Sequence, residues 1–129
     1  MSEIPSDFLY TEEHEYLKPT NEEGEYLVGV TDYAQGELGD VVFVELPEAG
    51  NSFQKMDAFG TIEAVKAVSD LFCPVSGEVL DVNSGLDDDP SLVNTDPYGA
   101  GWMIRLKVEN TADLDKLLDA DAYADHIEG

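Results

Sequence analysis

The sequence predicts a mainly β fold, a sandwich of short strands with short helices around it. Three observations support this prediction. Short runs rich in β-branched and aromatic residues alternate with turn-forming residues along the chain. One pattern, glycine, acid, valine, aliphatic, any residue, valine, occurs at Gly39–Val44 and again at Gly77–Val82. An apolar segment centred on a lysine lies between the two copies, which suggests two similar β-segments related by approximate twofold symmetry.

The N-terminal part of the chain predicts two strands. Phe8–Thr11 and Tyr26–Val30 are rich in the aromatic and β-branched residues that strands favour. Pro19–Gly24 lies between them and consists largely of turn-forming residues, so we expect a loop to join the two strands.

A short helix and a further strand are predicted next. Thr31 can cap a two-turn helix over residues 31–38, because its hydroxyl can accept a hydrogen bond from an unpaired backbone N–H group. Gly36 or Gly39 can end this helix. The β-branched segment Gly39–Pro47 then predicts a strand that stops at its proline.

A β-hairpin is predicted in the middle of the chain. Gly60–Ile62 and Leu71–Gly77 have the composition of its two strands. Lys66 would then stand near the tip, with Glu63 and Asp70 on either side. The chain contains five lysines, so a lysine that projects from an apolar tip calls for an explanation.

The C-terminal part predicts a helical turn, a loop and one strand. Proline and glycine punctuate residues 87–94, a predicted short helical turn, and residues 96–101, a predicted loop. In the predicted strand Trp102–Val108, the alternate set that starts at Trp102 is expected to face inward, and the set that starts at Met103 outward.

The chain is predicted to end as a covering helix. Thr111 can cap its first part, which places three leucines on one face. Asp119 or Asp121 can restart the helix towards Tyr123 and Ile127.

Length and composition restrict the class of function. With 129 residues and 43% hydrophobic content, residues 1–129 are expected to form one domain with a buried core. The 29 acidic and 6 basic residues give a net charge of −23, so the surface has no basic stripe to neutralise phosphates. Nucleic acid and anionic membranes are therefore not expected partners. The acidity suggests a halophilic protein, adapted to a cytoplasm of high salt concentration that screens the repulsion.

The N-terminus and the apolar runs predict a cytoplasmic protein. Met1–Ile4 has neither a basic start nor a hydrophobic run, as a targeting segment would. The sequence also contains no stretch of 18 apolar residues, which a membrane-spanning helix would need.

The residues of the chain offer little independent chemistry. Cys73 is the only cysteine and lies in an apolar run, which favours a buried, inert thiol. His14 and His126 are far apart in sequence, so a metal site, which would need both and a carboxylate, is not expected. Glu63 and Asp70 would favour the ammonium form of Lys66, which argues against direct amine catalysis.

Several segments of the chain resemble the glycine cleavage system H proteins, the lipoyl carriers of that complex. Glu63–Asp70 resembles the lipoate-attachment motif of the family. The likeness covers most of the chain, and its other segments are Glu13–Tyr16, Gly29–Gln35, Leu38–Pro47, Cys73–Val79, Leu92–Asn94, Pro97–Gly99 and Gly101–Ile104.

The resemblance implies a barrel-sandwich hybrid fold in which Lys66, at the hairpin turn, carries lipoate in amide linkage. It implies a carrier that is not itself an enzyme. A pyridoxal-phosphate glycine decarboxylase would leave an aminomethyl group on one lipoyl sulfur, and a tetrahydrofolate-dependent aminomethyltransferase would take its carbon. Dihydrolipoamide dehydrogenase would reoxidise the dithiol, and a lipoate-attaching enzyme would modify the lysine. The carrier is expected to be a monomer.

The same resemblance implies a surface cleft that shields the loaded arm from water. Glu15 and Asp70 match family acids near that cleft, where a carboxylate could pair with the loaded amine, and Glu63 is a further candidate contact of the arm. The chain departs from the common pattern at Ala64, where a serine is frequent, at Tyr16, where tryptophan is frequent, and at Glu13, where some members have a small hydroxyl residue.

The sequence bears differently on four alternative functions. A biotin carrier flanks its lysine with methionines, whereas valine and alanine flank Lys66. Carrier domains of 2-oxoacid dehydrogenases are shorter than this chain. A lipoyl relay module that serves lipoate transfer to other enzymes remains open. An independent enzyme is disfavoured, because no acid, base and nucleophile occur together in a recognisable pattern.

Overall fold

The structure, a computed structural model, describes residues 4–128; Met1–Glu3 and Gly129, which belong to the predicted 1–129 domain, lie outside the described residues. Its strands are β1 Leu9–Tyr10, β2 Glu15–Pro19, β3 Glu25–Val30, β4 Val41–Glu45, β5 Ser52–Phe53, β6 Ala58–Ala64, β7 Val68–Phe72, β8 Gly77–Val82 and β9 Ile104–Val108. Its helices are α1 Asp32–Leu38, α2 Gly85–Asp88, α3 Leu92–Thr95, a 3₁₀ helix at Thr111–Lys116 and α4 Ala120–Glu128.

The strands form two antiparallel sheets. A six-stranded sheet has the order β1-β2-β3-β9-β8-β5, and a three-stranded sheet has the order β4-β6-β7. The two copies of the repeated sequence pattern fall in different sheets, β4 at the edge of the smaller and β8 in the interior of the larger. The prediction of a mainly β protein with short helices and a C-terminal helix is confirmed.

The apolar core lies between the sheets, and a separate aromatic cluster lies beside it. The core includes Leu17 and Val28 of the larger sheet and Val44 and Ile62 of the smaller, all at most 2% exposed. The tyrosine cluster consists of Tyr10, Tyr16, Tyr98 and Tyr123. In this cluster α4 packs on the larger sheet, with the rings of Tyr10 and Tyr123 stacked at 4.7 Å.

Local capping follows the sequence closely at α1. Thr31 caps the helix and accepts a hydrogen bond from Ala34 N at 3.2 Å, as predicted. Gly39, not Gly36, ends the helix, because the chain there adopts φ of 81°, in the left-handed region that favours glycine. At α4, Asp119 Oδ1 accepts from Ala122 N at 2.8 Å, as the predicted restart requires.

Two strands differ from the sequence-based expectations. β2 was not predicted, because Glu15, Lys18 and Pro19 dilute its apolar pattern; it forms through pairing with β1 on one side and β3 on the other. The second hairpin strand starts at Val68 and ends at Phe72 instead of covering residues 71–77. Pro74 has no N–H group to continue the ladder, and Cys73 N already donates to Asp57 O.

Two further predictions at the C-terminal end are wrong. Met103 is fully buried and Trp102 is half-buried, so strict alternation holds only from Ile104, where β9 begins. The 3₁₀ helix is capped by Asn110, whose side chain accepts from Ala112 N, and not by Thr111. Asn110 lies one residue earlier, where its extended backbone lets the side-chain oxygen accept from the N–H group two residues further on.

Candidate functional site

Lys66 lies at the tip of the β6–β7 hairpin, as the sequence predicts. The last strand pair before the tip joins Glu63 and Val68, and Ala64 N donates to Ala67 O at 2.8 Å to close the turn. Lys66 is exposed, and Val65 and Val68 beside it are 72% and 65% exposed. The tip therefore presents an accessible amine on an apolar surface.

The turn between α1 and β4 supports this tip from below. Val65 N donates to Asp40 O at 2.9 Å. A Cβ atom added to Gly39 would lie 3.3 Å from Cε of Lys66, so the aliphatic stem of the lysine runs directly over the glycine. Because Gly39 has no side chain, the aliphatic part of Lys66 has room to pack against this turn.

Asn94 fixes the same turn with three hydrogen bonds. Its Nδ2 donates to Gly39 O at 2.9 Å and to Gln35 Oε1 at 3.0 Å, and its Oδ1 accepts from Val41 N at 2.8 Å. The residue thus links the end of α1 to the start of β4. Reasoning from the sequence did not assign Asn94 this role, because its partners lie more than 50 residues away in the chain.

A cleft of about 250 Å³ opens next to the supported turn. Three parts of the fold form it: the β1–β2 turn, helix α1 with the preceding Val30, and the hairpin strands. Its lining residues are Glu13, His14, Glu15, Val30, Tyr33, Ala34, Glu37, Leu38, Ile62, Ser69, Asp70 and Leu71. Leu38, the last residue of α1 and the neighbour of Gly39 in the chain, is among them, and so are residues of both hairpin strands.

Glu15 is a buried acid in the wall of this cleft. The residue is 2% exposed, and its Oε1 accepts from the Thr11 hydroxyl at 2.9 Å. A longer contact of 3.4 Å connects its Oε2 to Phe72 N. Among the described residues, the only cation–carboxylate pair within 4.0 Å joins Arg105 and Glu25, so Glu15 has no cationic partner.

Burial determines the charge state of Glu15. Loss of solvation raises the pKa of this carboxyl to about 8, although the hydrogen bonds from Thr11 and from the Phe72 backbone oppose the rise. At neutral pH the group is therefore mostly the neutral acid. A cation brought into the cleft would favour its ionised form.

The other two predicted acids occupy different positions. Asp70 is exposed on β7 opposite Thr61 and lines the cleft together with Glu15. Glu63 lies on β6 opposite Val68, outside the set of residues that line the cleft. The fold thus brings Glu15 and Asp70 to one cleft and leaves Glu63 on the hairpin itself.

The fold also brings together two histidines that are far apart in sequence. The rings of His14 and His126 lie 5.7 Å apart, and His14 lines the cleft. Within residues 4–128, no group of three or more histidine, cysteine or acidic side chains has the arrangement of a metal site. Burial and the charge of His126 lower the pKa of His14, and Glu13 and Glu37 oppose this.

Cys73 is a buried free thiol, as predicted. It is fully buried, and its Sγ donates to Val75 O at 3.0 Å. Burial raises the pKa of the thiol to about 12, so the reactive thiolate is scarce at neutral pH.

Comparison with known proteins gives one consistent match. The family described as Glycine cleavage H-protein matches residues 8–129. A glycine cleavage system H protein of Symbiobacterium thermophilum is 50% identical over 123 residues, which are 95% of this chain and 94% of the relative. One from Listeria monocytogenes is 51% identical over 120 residues, 93% of this chain and 94% of the relative.

A solved structure agrees with the fold. The crystal structure of a glycine cleavage system H protein from Mycobacterium marinum superimposes with a TM-score of 0.87 at 38% identity, and covers 98% of this chain and 100% of that one. The predicted barrel-sandwich hybrid is thereby confirmed. In the described part of the chain, none of the helices has the length and apolar character needed to cross a membrane.

Proposed function

The chain belongs to the glycine cleavage H-protein family, and from this premise we propose that it is a non-catalytic lipoyl carrier whose lipoyl group is attached to Lys66. The observation that supports the attachment site most directly is the exposed tip amine whose stem lies over Gly39. When attached, a lipoyl group supplies a reducible disulfide, which no amino-acid side chain offers in this form. The protein supplies its position.

The residues near Lys66 fit such an arm. The amine is accessible to an attaching enzyme, and the Asp40–Val65 and Asn94–Gly39 hydrogen bonds hold the turn beneath it. The hairpin that carries Lys66 also forms part of the cleft, which is lined partly by apolar side chains that can exclude water from a group that enters it. A flexible arm can thus move between solvent and a site on its own carrier.

Glu15 and Asp70 are the proposed contacts of an amine carried on the arm. Glu15 is a buried acid without a cationic partner among the described residues, and Asp70 is an exposed carboxylate in the same cleft. An incoming amine can take the proton of Glu15 and form a paired, buried charge, which is stronger in this setting than in water. Glu63 stays a candidate contact on the hairpin.

The proposed partners are those of glycine cleavage. The carrier would deliver its aminomethyl group from the pyridoxal-phosphate glycine decarboxylase to the tetrahydrofolate-dependent aminomethyltransferase, and its dithiol to dihydrolipoamide dehydrogenase. A single 1–129 domain, a monomeric state, a cytoplasmic location and an adaptation to high salt are parts of the proposal that stay predictions.

Mass spectrometry of the co-expressed protein tests the attachment site. Expressed with a lipoylating system, the protein should gain one lipoyl group, located on the peptide that contains Lys66. Lys66→Arg should abolish the gain because it removes the only acylated amine, and Lys55→Arg, at another exposed lysine, should leave it unchanged. Modification of the Lys66 variant at a different lysine would contradict the assignment.

Reconstitution separates glycine cleavage from a relay role in lipoate transfer. The lipoylated protein should support glycine-dependent exchange of carbon dioxide by the glycine decarboxylase, and Lys66→Arg should not. A lipoylated protein that donates lipoate to other enzymes but supports no exchange would favour the relay module.

A further inference from the structure

A chain of hydrogen bonds joins the C-terminal helix to two walls of the cleft. The Tyr123 hydroxyl oxygen lies 2.9 Å from His14 Nδ1 and 2.7 Å from Thr31 Oγ1. His14 lies in the β1–β2 turn and lines the cleft. Thr31 caps α1, whose side chains form another wall. One hydroxyl of α4 therefore contacts both parts of the cleft at once.

The direction of these hydrogen bonds follows from the available donors and acceptors. Thr31 is fully buried, and its Oγ1 accepts from Ala34 N at 3.2 Å. Within the described part of the chain, the acceptor in reach of the Thr31 hydroxyl proton is the Tyr123 oxygen. If Thr31 donates to Tyr123, then Tyr123 donates to His14 Nδ1, which must be the unprotonated nitrogen of a neutral imidazole.

The reverse direction is unfavourable. An N–H group at His14 Nδ1 would donate to the Tyr123 oxygen, and the Tyr123 hydroxyl could then donate only to Thr31 Oγ1. The Thr31 hydroxyl proton would be left without an acceptor in a fully buried position, which costs free energy. Protonation of His14 therefore disrupts the chain.

The charged and titratable groups around His14 favour its neutral form on balance. Burial and His126 lower its pKa, whereas Glu13 and Glu37 raise it, and the net change is a lowering. The backbone of His14 has φ of 73°, in the left-handed region, so the turn depends on its side-chain and backbone contacts. The groups that act on the ring are Tyr123 and His126 from α4, Tyr33 and Glu37 from α1, and Glu13 from its own turn.

We propose that Tyr123 is a positioning residue of the cleft: it donates to Nδ1 of neutral His14 and accepts from Thr31, and so keeps the β1–β2 turn and α1 in the arrangement that shields a loaded arm. The inference rests on the proposed function. Because Glu15 directly follows His14, a shift of this turn would also move the buried acid. The C-terminal helix thereby contributes to the cleft without lining it.

Nitrogen NMR of the protein without lipoate tests the hydrogen-bond chain directly. At pH 8, His14 should be the Nε2–H tautomer, with Nδ1 as acceptor. Tyr123→Phe should raise the pKa of His14, because the bond that stabilises its neutral form is lost while the ring and its burial remain. Tyr10→Phe, which removes a hydroxyl from the stacked neighbour of Tyr123, is the matched control and should leave the pKa unchanged.

An Nδ1–H tautomer of His14 in the wild-type protein would overturn the proposal. So would an unchanged pKa of His14 in Tyr123→Phe. Neither outcome depends on lipoate, so both are distinct from a failure of the proposed function, which would show as absence of lipoylation at Lys66.

The lifetime of the loaded carrier tests the consequence for the cleft. Hydrolysis breaks the bond between sulfur and the aminomethyl carbon; water supplies the oxygen of formaldehyde, ammonia leaves, and the sulfur takes a proton. In lipoylated protein of equal modification, Tyr123→Phe should lose its aminomethyl group about fivefold faster, the effect of one lost hydrogen bond. Tyr10→Phe should keep the wild-type rate.

The pH dependence separates positioning from general loss of structure. In the wild-type protein, shielding should weaken as the pH falls through the pKa of His14, since protonation reverses the chain. In Tyr123→Phe the hydrolysis rate should depend less on pH in this range, because the hydrogen bond between Tyr123 and His14 is already absent. Equal lifetimes and equal pH profiles for the wild-type and Tyr123→Phe proteins would overturn the proposal.

Discussion

The hairpin tip and the cleft wall that contains Glu15 belong to the same site but are built in opposite ways. At the tip, Val65, Lys66 and Val68 are exposed, and the support comes from backbone atoms of the α1–β4 turn. At the cleft, Glu15 is buried and accepts from the nearby Thr11 hydroxyl and from Phe72 N, and the buried cap of α1, Thr31, contacts the distant Tyr123 hydroxyl. The tip therefore leaves its lysine side chain free to move, whereas hydrogen bonds hold the neighbouring cleft wall in place.

Of the substitutions that distinguish the two regions, Glu15→Gln in the cleft is expected to change the free energy of unfolding most. The pKa of Glu15 in the folded protein, about 8, is above the unfolded value, so its contribution to stability is complete below pH 4.5 and is lost as the pH rises through about 8. Glu15→Gln cannot ionise. Above pH 8 the variant should be more stable than the wild type, by an amount on the order of 3 kcal/mol.

Urea unfolding from pH 4 to 9 measures this difference. Glu23→Gln removes an exposed acid and serves as the control for the change in net charge. A stability difference between wild type and Glu15→Gln that does not grow with pH would show that Glu15 ionises normally in the fold.

A smaller change in the free energy of unfolding is expected from substitution of Asn94, which lies where the two regions join. Asn94→Ala removes the acceptor of Val41 N and the donors to Gly39 O and Gln35 Oε1. We expect a loss of about 2 kcal/mol in the free energy of unfolding, because the partner groups are partly buried and left unpaired. Thermal or urea unfolding measures it.

Asn94→Asp is the matched variant for this position. It keeps an oxygen for Val41 N but sets its second carboxylate oxygen against Gly39 O, an acceptor, so its stability should fall at least as far as that of Asn94→Ala. Lipoylation of Lys66 should slow in both variants if the turn presents the lysine, and an unchanged rate would restrict Asn94 to a role in stability.

The smallest change in the free energy of unfolding is expected at Gly39, in the turn that supports the hairpin tip. Gly39→Ala places a Cβ at a residue with φ of 81° and 3.3 Å from Lys66 Cε, so the free energy of unfolding should fall by about 1 kcal/mol and the lysine stem should shift. Gly36→Ala is the control within α1, where a Cβ meets nothing within 4 Å. It should stabilise the helix by up to about 1 kcal/mol. Equal effects of the two changes would argue against a special conformation at Gly39.

Local signals explain why much of the hairpin region could be predicted. The glycine at the end of α1, the threonine cap and the runs that form β3, β4 and β8 act through neighbours within a few residues. The exposed tip lysine between two acids followed from the same local pattern. The cleft role of Glu15 and Asp70 was expected only through a family resemblance, and no local pattern indicated that one would be buried and the other exposed.

The sequence by itself therefore determined the mainly β class, the capped helix and the lysine at the hairpin tip, because these depend on backbone preferences and side-chain alternation over short stretches. Only the tertiary structure decided the pairing of β2, the charge state of Glu15 and the Tyr123–His14–Thr31 chain. The bond from Tyr123 to His14 spans 109 residues, and the one to Thr31 spans 92. Burial and hydrogen-bond partners at such separations exist only once the sheets and α4 have packed, so no local pattern in the chain could indicate them.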